Sequence, residues 1–107
     1  MLRNIPLPTH RRPTTPGAML RREFMEPLGL TQQQFAHALG IDRPALNAIL
    51  NGRRTITVKM ALRLERVLGV SAGVWIDLQH LVDMWDALHD PATERELAHL
   101  KRLTPAA

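Results

Sequence analysis

The chain has 107 residues, 45% of them apolar and 22% charged, enough for one domain with one core and too apolar to stay disordered. It has no cysteine, which excludes a disulfide framework and a thiolate metal site. Its net charge of +4 is unevenly spread: +3 over residues 1–30, +4 over 31–66 and −3 over 67–107, so the front half is expected to meet a polyanion.

Apolar runs last only a few residues, far short of a membrane span, and the opening MLRNIPLPTHRR lacks the apolar stretch of a secretory signal. A cytoplasmic protein without membrane contact is expected. Residues 1–15 hold three prolines and three arginines and little to bury, which reads as a basic, flexible N-terminal arm able to track phosphate.

From there the chain is punctuated by helix signals. Glycines at 29, 40, 52 and 69 each follow an apolar-periodic segment, where a helix commonly ends in a left-handed residue. Thr15 before Pro16 opens a helix near 16–26. Thr31, with Gln34 three residues on in a capping-box pattern, opens 32–39. Asp42 opens 43–51, Thr57 opens 58–68, Ser71 opens 72–88, and Asp90 before Pro91 opens 91–103. No segment alternates β-branched residues with period two, so no substantial sheet is expected. The fold class is therefore all-α, a compact bundle of five to six short helices. Residues 16–88 form its main domain and 89–107 a C-terminal helical tail.

The stretch TQQQFAHALGIDRPALNAILNGRR at 31–54 carries the functional signal. Two short helices joined through a glycine make a helix-turn-helix of the Cro and phage-repressor kind. Phe35, Leu39, Ile41, Leu46 and Ile49 face inward, Ala36 sits where the helices cross, and Gly40 supplies the turn. Of such a pair, the second helix enters the major groove of double-stranded DNA and the first crosses the backbone. Gln32 is then placed to donate to a phosphate. Arg43, Pro44, Ala45, Asn47 and Asn51 face outward, where Arg suits guanine, Asn adenine, and the alanine methyl a thymine methyl. Arg53 and Arg54 follow the helix, within reach of phosphates. Asp42, a negative charge near DNA, is read as a helix cap.

Helix 58–68 puts Met60, Leu64 and Val67 on one stripe with Ala61 and Leu68 beside it, an ordinary core face. In 72–88, Val74, Leu78, Leu81, Trp85 and Leu88 repeat with heptad spacing, and Trp75 and Val82 widen the apolar face. A small domain cannot bury both tryptophans and both edges, so Leu81, Trp85 and Leu88 are expected at a homodimer or partner interface.

Enzyme chemistry is not indicated. Ser71 is the sole serine and stands at a helix cap. The five histidines, at 10, 37, 80, 89 and 99, include no i, i+4 pair that would place two ligands on one helix face. No metal or cofactor is expected.

One resemblance covers residues 15–87. PG at 16–17, EPLGLTQQQFA at 26–36, LGI at 39–41, ILNGRRTIT at 49–57, MALRLERVLGVSAGVW at 60–75 and LQ at 78–79 with Asp83 resemble the HigA-type, or VapI-like, antitoxins of the Xre/Cro helix-turn-helix class. The resemblance implies a dimeric antitoxin that neutralises an mRNA-cleaving toxin of the RelE-like ribonuclease class. It also implies repression of the protein's own operon at a palindromic operator, with DNA-reading positions at Gln32, Arg43, Pro44, Ala45, Asn47 and Asn51. Ala18, Asn47 and Ala48 depart from common family residues, so the operator sequence does not carry over. Family antitoxins are commonly acidic, which places toxin contact in the acidic segment 67–107. A stand-alone repressor of this class and a protein-interaction bundle are the competing readings.

Overall fold

A computed structural model describes residues 11–105, and among them every regular element is helical. Helix α1 covers residues 16–28 as three continuous pieces: an α-helical Pro16–Leu20, a widened π turn Arg21–Met25, and a last turn Glu26–Leu28. Then follow α2 (Gln32–Leu39), α3 (Arg43–Leu50), α4 (Val58–Leu68), α5 (Ala72–Leu88) and α6 (Pro91–Ala98). The π turn has a local cause. In a regular α-helix the ring of Pro27 would clash with the carbonyl of Glu23, and widening the turn, with the Glu26 N–H donating to Arg21 O, relieves that clash.

The six expected start residues all cap. The side-chain oxygens of Thr15, Thr31, Asp42, Thr57, Ser71 and Asp90 each accept from a backbone N–H in the first turn. At α2 the capping box is complete, because the Gln34 side chain also accepts from the Thr31 N–H at 2.9 Å. Gly29, Gly40, Gly52 and Gly69 all have positive φ. At Gly40 the turn is also tied from outside: Arg63 of α4 reaches back and donates through Nη1 to Leu39 O at 2.9 Å, satisfying a carbonyl at the end of α2.

The core is built of Leu20, Phe35, Leu46, Leu64 and Trp75, with Phe24 tilted against the Trp75 ring at a centroid distance of 5.8 Å. Gly17 brings α1 directly onto the carbonyls of Ile49 and Leu50 at the end of α3. The first helix thus braces the second helix of the motif.

One expected face is drawn differently by the structure, and a second is divided between core and surface. Val67 is exposed, and the buried side of α4 is Ala61 and Leu64, with Met60 and Leu68 half-buried. On α5 the residues that enter the core are Trp75, Gln79 and Val82, whereas Val74 and Leu88 of the heptad stripe are exposed. The stripe and the core face are adjacent, and the contact with α1 and α4 selects the second. The last helix ends at Ala98 rather than 103. It buries nothing, and Leu97, Leu100 and Leu103 all lie exposed, so no tertiary contact extends it.

Residues 1–10, the larger part of the expected arm, lie outside the described residues. Its last part is anchored: Pro13 is buried, and Arg12 makes a two-pronged ion pair with Asp86 near the end of α5, both contacts at 2.8 Å.

Candidate nucleic-acid interface

The leading end of α3 is open to solvent. Asp42 is tied down as its cap, with Oδ1 accepting from the Ala45 N–H at 2.8 Å, which confirms the structural role expected of this carboxylate. Beyond it Arg43 and Pro44 are exposed and Ala45 is half-buried, while Leu46, Ile49 and Leu50 close the inner side. Pro44 stands in the first turn, where the missing N–H leaves no hydrogen bond unmade. Ala36 is 2% exposed between the two helices, as their close crossing requires.

Behind that end the polar residues of the motif join one hydrogen-bonded chain. Asn47 Nδ2 donates to Gln32 Oε1 at 3.2 Å, which fastens α3 to the first turn of α2. Asn51 Nδ2 donates to Asn47 Oδ1 at 3.1 Å, and Arg53 Nη2 donates to the same oxygen at 2.8 Å. Arg21, from the π turn of α1, donates through Nη2 to Asn51 Oδ1 at 2.8 Å. Gln32, Asn47, Asn51 and Arg53 are thus brought together as expected of neighbours on one surface. Arg21 was missed because an arginine thirty residues upstream, on a helix outside the motif, carries no local mark of the face it will join.

The two adjacent arginines part company. Both backbone N–H groups close on Ala48 O, at 2.8 Å for Arg53 and 3.2 Å for Arg54, as the chain folds back over the end of α3. Arg53 then turns to Asn47. Arg54 instead lines a cavity of about 110 Å³ shared with Thr15, Thr55, Gln79, Asp83 and Asp86.

The LQ pair and Asp83 also find a physical role. Gln79 is buried; its Oε1 accepts from the Ile56 N–H at 2.8 Å and its Nε2 donates to Asp83 Oδ1 at 2.9 Å. It pins the loop that follows the motif against α5, and so sets where Arg53 and Arg54 begin.

Along the stripe of α5 beside its core face, Leu81 and Trp85 are half-buried and Leu88 is exposed, with Val74 and Met84 also exposed. The Trp85 ring stacks on His89 at 3.8 Å between centroids. His37, His80 and His99 are exposed, and no metal-binding cluster occurs among the described residues. Among them no helix is long and apolar enough to cross a membrane.

A capped helix pair with a glycine turn, an exposed leading end and a cationic amide surface behind it defines a helix-turn-helix protein. Comparison with known proteins agrees: the helix-turn-helix family model matches residues 22–75. The chain belongs to that family, in its Xre-like class, and its resemblance to the HigA-type antitoxins holds. It is 36% identical over 91 residues to YbaQ of Escherichia coli K12, an uncharacterized helix-turn-helix transcriptional regulator, across 85% of this chain and 80% of that one. It is 40% identical over 78 residues to antitoxin HigA-1 of Vibrio cholerae, across 73% of each. A solved structure of Pseudomonas aeruginosa antitoxin HigA with the higBA promoter superimposes with a TM-score of 0.77 at 31% identity, covering 87% of this chain and 100% of that one.

Proposed function

We propose that the chain is an operator-binding antitoxin. As a homodimer it represses its own operon in the cytoplasm by placing the leading end of α3 in the major groove of a palindromic site. It also neutralises a cognate toxin of the RelE-like ribonuclease class. The observation that carries the reading is the exposed end of α3, with Arg43, Pro44 and Ala45 foremost and Gln32, Asn47, Asn51 and Arg53 behind it. Arg43 reads a base edge, the alanine methyl admits close approach, and Arg53 meets the phosphate backbone. Arg54 stands apart from that rim, beside the cavity it shares with Asp83 and Asp86, and meets phosphate from the side nearer α5.

The apolar stripe of α5 is the surface that joins two copies, through Leu81, Trp85 and Leu88. Two-fold symmetry then sets the two α3 ends about 34 Å apart, one turn of the duplex, or a multiple of that. The acidic segment 67–107 is the counterpart for a basic toxin. A stand-alone repressor is the second reading, favoured by the match to YbaQ, a relative described only as a transcriptional regulator.

The test is a footprint on the chain's own upstream DNA, with and without the product of the adjacent gene. Arg43→Ala should lower affinity by about 1–3 kcal/mol and relax preference at one base position. Arg53→Ala should weaken all sequences alike and reduce the salt slope by about one. An unchanged footprint with both substitutions would refute the docking. A footprint indifferent to the neighbouring product, which also fails to bind the chain, would leave the stand-alone repressor.

A further inference from the structure

Asn47 lies in the middle of the second motif helix, yet its acceptor side is already full. Its Oδ1 accepts from Arg53 Nη2 at 2.8 Å and from Asn51 Nδ2 at 3.1 Å, which occupies both lone pairs of an amide oxygen. Its Nδ2 donates to Gln32 Oε1 at 3.2 Å, leaving one free amide hydrogen. Reading adenine takes an amide that accepts from N6 and donates to N7 together, and Asn47 has no acceptor left for that task.

The chain of bonds also has a direction. Arg21 donates to Asn51, Asn51 to Asn47, and Asn47 to Gln32, while Arg53 enters at Asn47. Each amide oxygen is therefore turned inward to receive a bond. The polar hydrogens left over belong to Arg21, Arg53, the Gln32 Nε2 group and one each on Asn47 Nδ2 and Asn51 Nδ2. A rim of donors carrying two guanidinium charges complements phosphate oxygens, which only accept.

We propose that Asn47 is a positioning residue and not a base reader: it holds Arg53 and Gln32 in place for phosphate contact, and Arg21 of the first helix completes the same rim. Base reading then falls to Arg43, Pro44 and Ala45. The inference rests on the DNA-binding reading of this surface, and it predicts which substitutions alter sequence preference and which alter only strength.

The experiment measures fluorescence anisotropy of the full chain with its footprinted operator and with a panel of duplexes carrying single base-pair changes, over a series of salt concentrations. Asn47→Ala keeps the helix, alanine being its best former, and a thermal melt confirms the fold. It should weaken every duplex by one common factor, roughly three- to tenfold, as loss of a phosphate contact does. In an Arg53→Ala background it should add clearly less than it does alone, because its effect through Arg53 is already gone and only its hold on Gln32 remains. Arg21→Ala should weaken all duplexes alike and lower the salt slope by about one, and Arg21→Lys should restore the slope. Asn47→Ala relaxing preference at one base pair would overturn the proposal, as would losses from Asn47→Ala and Arg53→Ala that simply add. Arg43→Ala in the same panel separates the two levels: if it relaxes one position while Asn47→Ala relaxes another, DNA reading stands and this assignment falls. If the unaltered chain cannot tell the duplexes apart, both fall.

Discussion

Replacing Gly17 by alanine tests whether the first helix holds the second motif helix in place. A Cβ built at Gly17 would stand 2.5 Å from Ile49 O, 2.6 Å from Leu50 O and 2.8 Å from Leu50 C, where ordinary contact begins at 3.4 Å, so α1 or α3 must retreat by about 0.9 Å. The obstructing atoms are backbone, and no change of rotamer can relieve them. Overpacking of a tight core costs about 1–3 kcal/mol, and a clash with backbone belongs at the upper end. Alanine returns about 1 kcal/mol through its helix propensity. The net loss is about 2 kcal/mol, which for a domain of this size lowers Tm by roughly 8–16 °C. The assay is thermal unfolding followed by helical circular dichroism, at fixed protein concentration because any self-association would shift the midpoint. Gly29→Ala is the control: no atom lies within 4 Å of its Cβ, and only the positive φ of 63° opposes it. That strain is about 1–2 kcal/mol. The gap should appear in operator affinity, where Gly17→Ala loses more than Gly29→Ala because α3 is displaced. A Gly17→Ala protein that melts at or above the unaltered chain would refute the reasoning.

Other perturbations separate the remaining contacts. Gln79→Leu leaves the Ile56 N–H without its acceptor in a buried setting, and urea unfolding should show a loss of about 1–3 kcal/mol. Leu81→Glu together with Trp85→Ala should convert dimer to monomer in sedimentation equilibrium while helical content is kept; a persistent dimer would exclude this face of α5. The Arg12 hydrogen bonds hold the Asp86 carboxyl below the usual carboxylate range, so their stabilisation is fully present above about pH 4 and fades as pH falls through the lowered folded value. The pair is half exposed, at 47% and 50%, so Asp86→Asn should lower stability at neutral pH by no more than about 1 kcal/mol, and the difference should vanish in acid.

The helix starts and the glycine stops of this protein were legible residue by residue, whereas the end of the last helix, expected at 103 and found at Ala98, was not. Each start rests on a bond between a side chain and an N–H two or three positions on, and each glycine stop rests on one backbone angle. Such contacts lie within a few residues of each other, and so does the inward pattern of Phe35, Leu39, Leu46 and Ile49 that makes the motif. Only the packed molecule decided the rest. It chose Trp75, Gln79 and Val82 over the neighbouring heptad stripe as the core face of α5, sent Arg53 to Asn47 and Arg54 to a cavity, and brought Arg21 across to Asn51. Those outcomes depend on how helices distant in sequence approach one another. An i, i+4 pattern states that a face is apolar or charged; which other face it meets is settled by the shapes of every element packed around it.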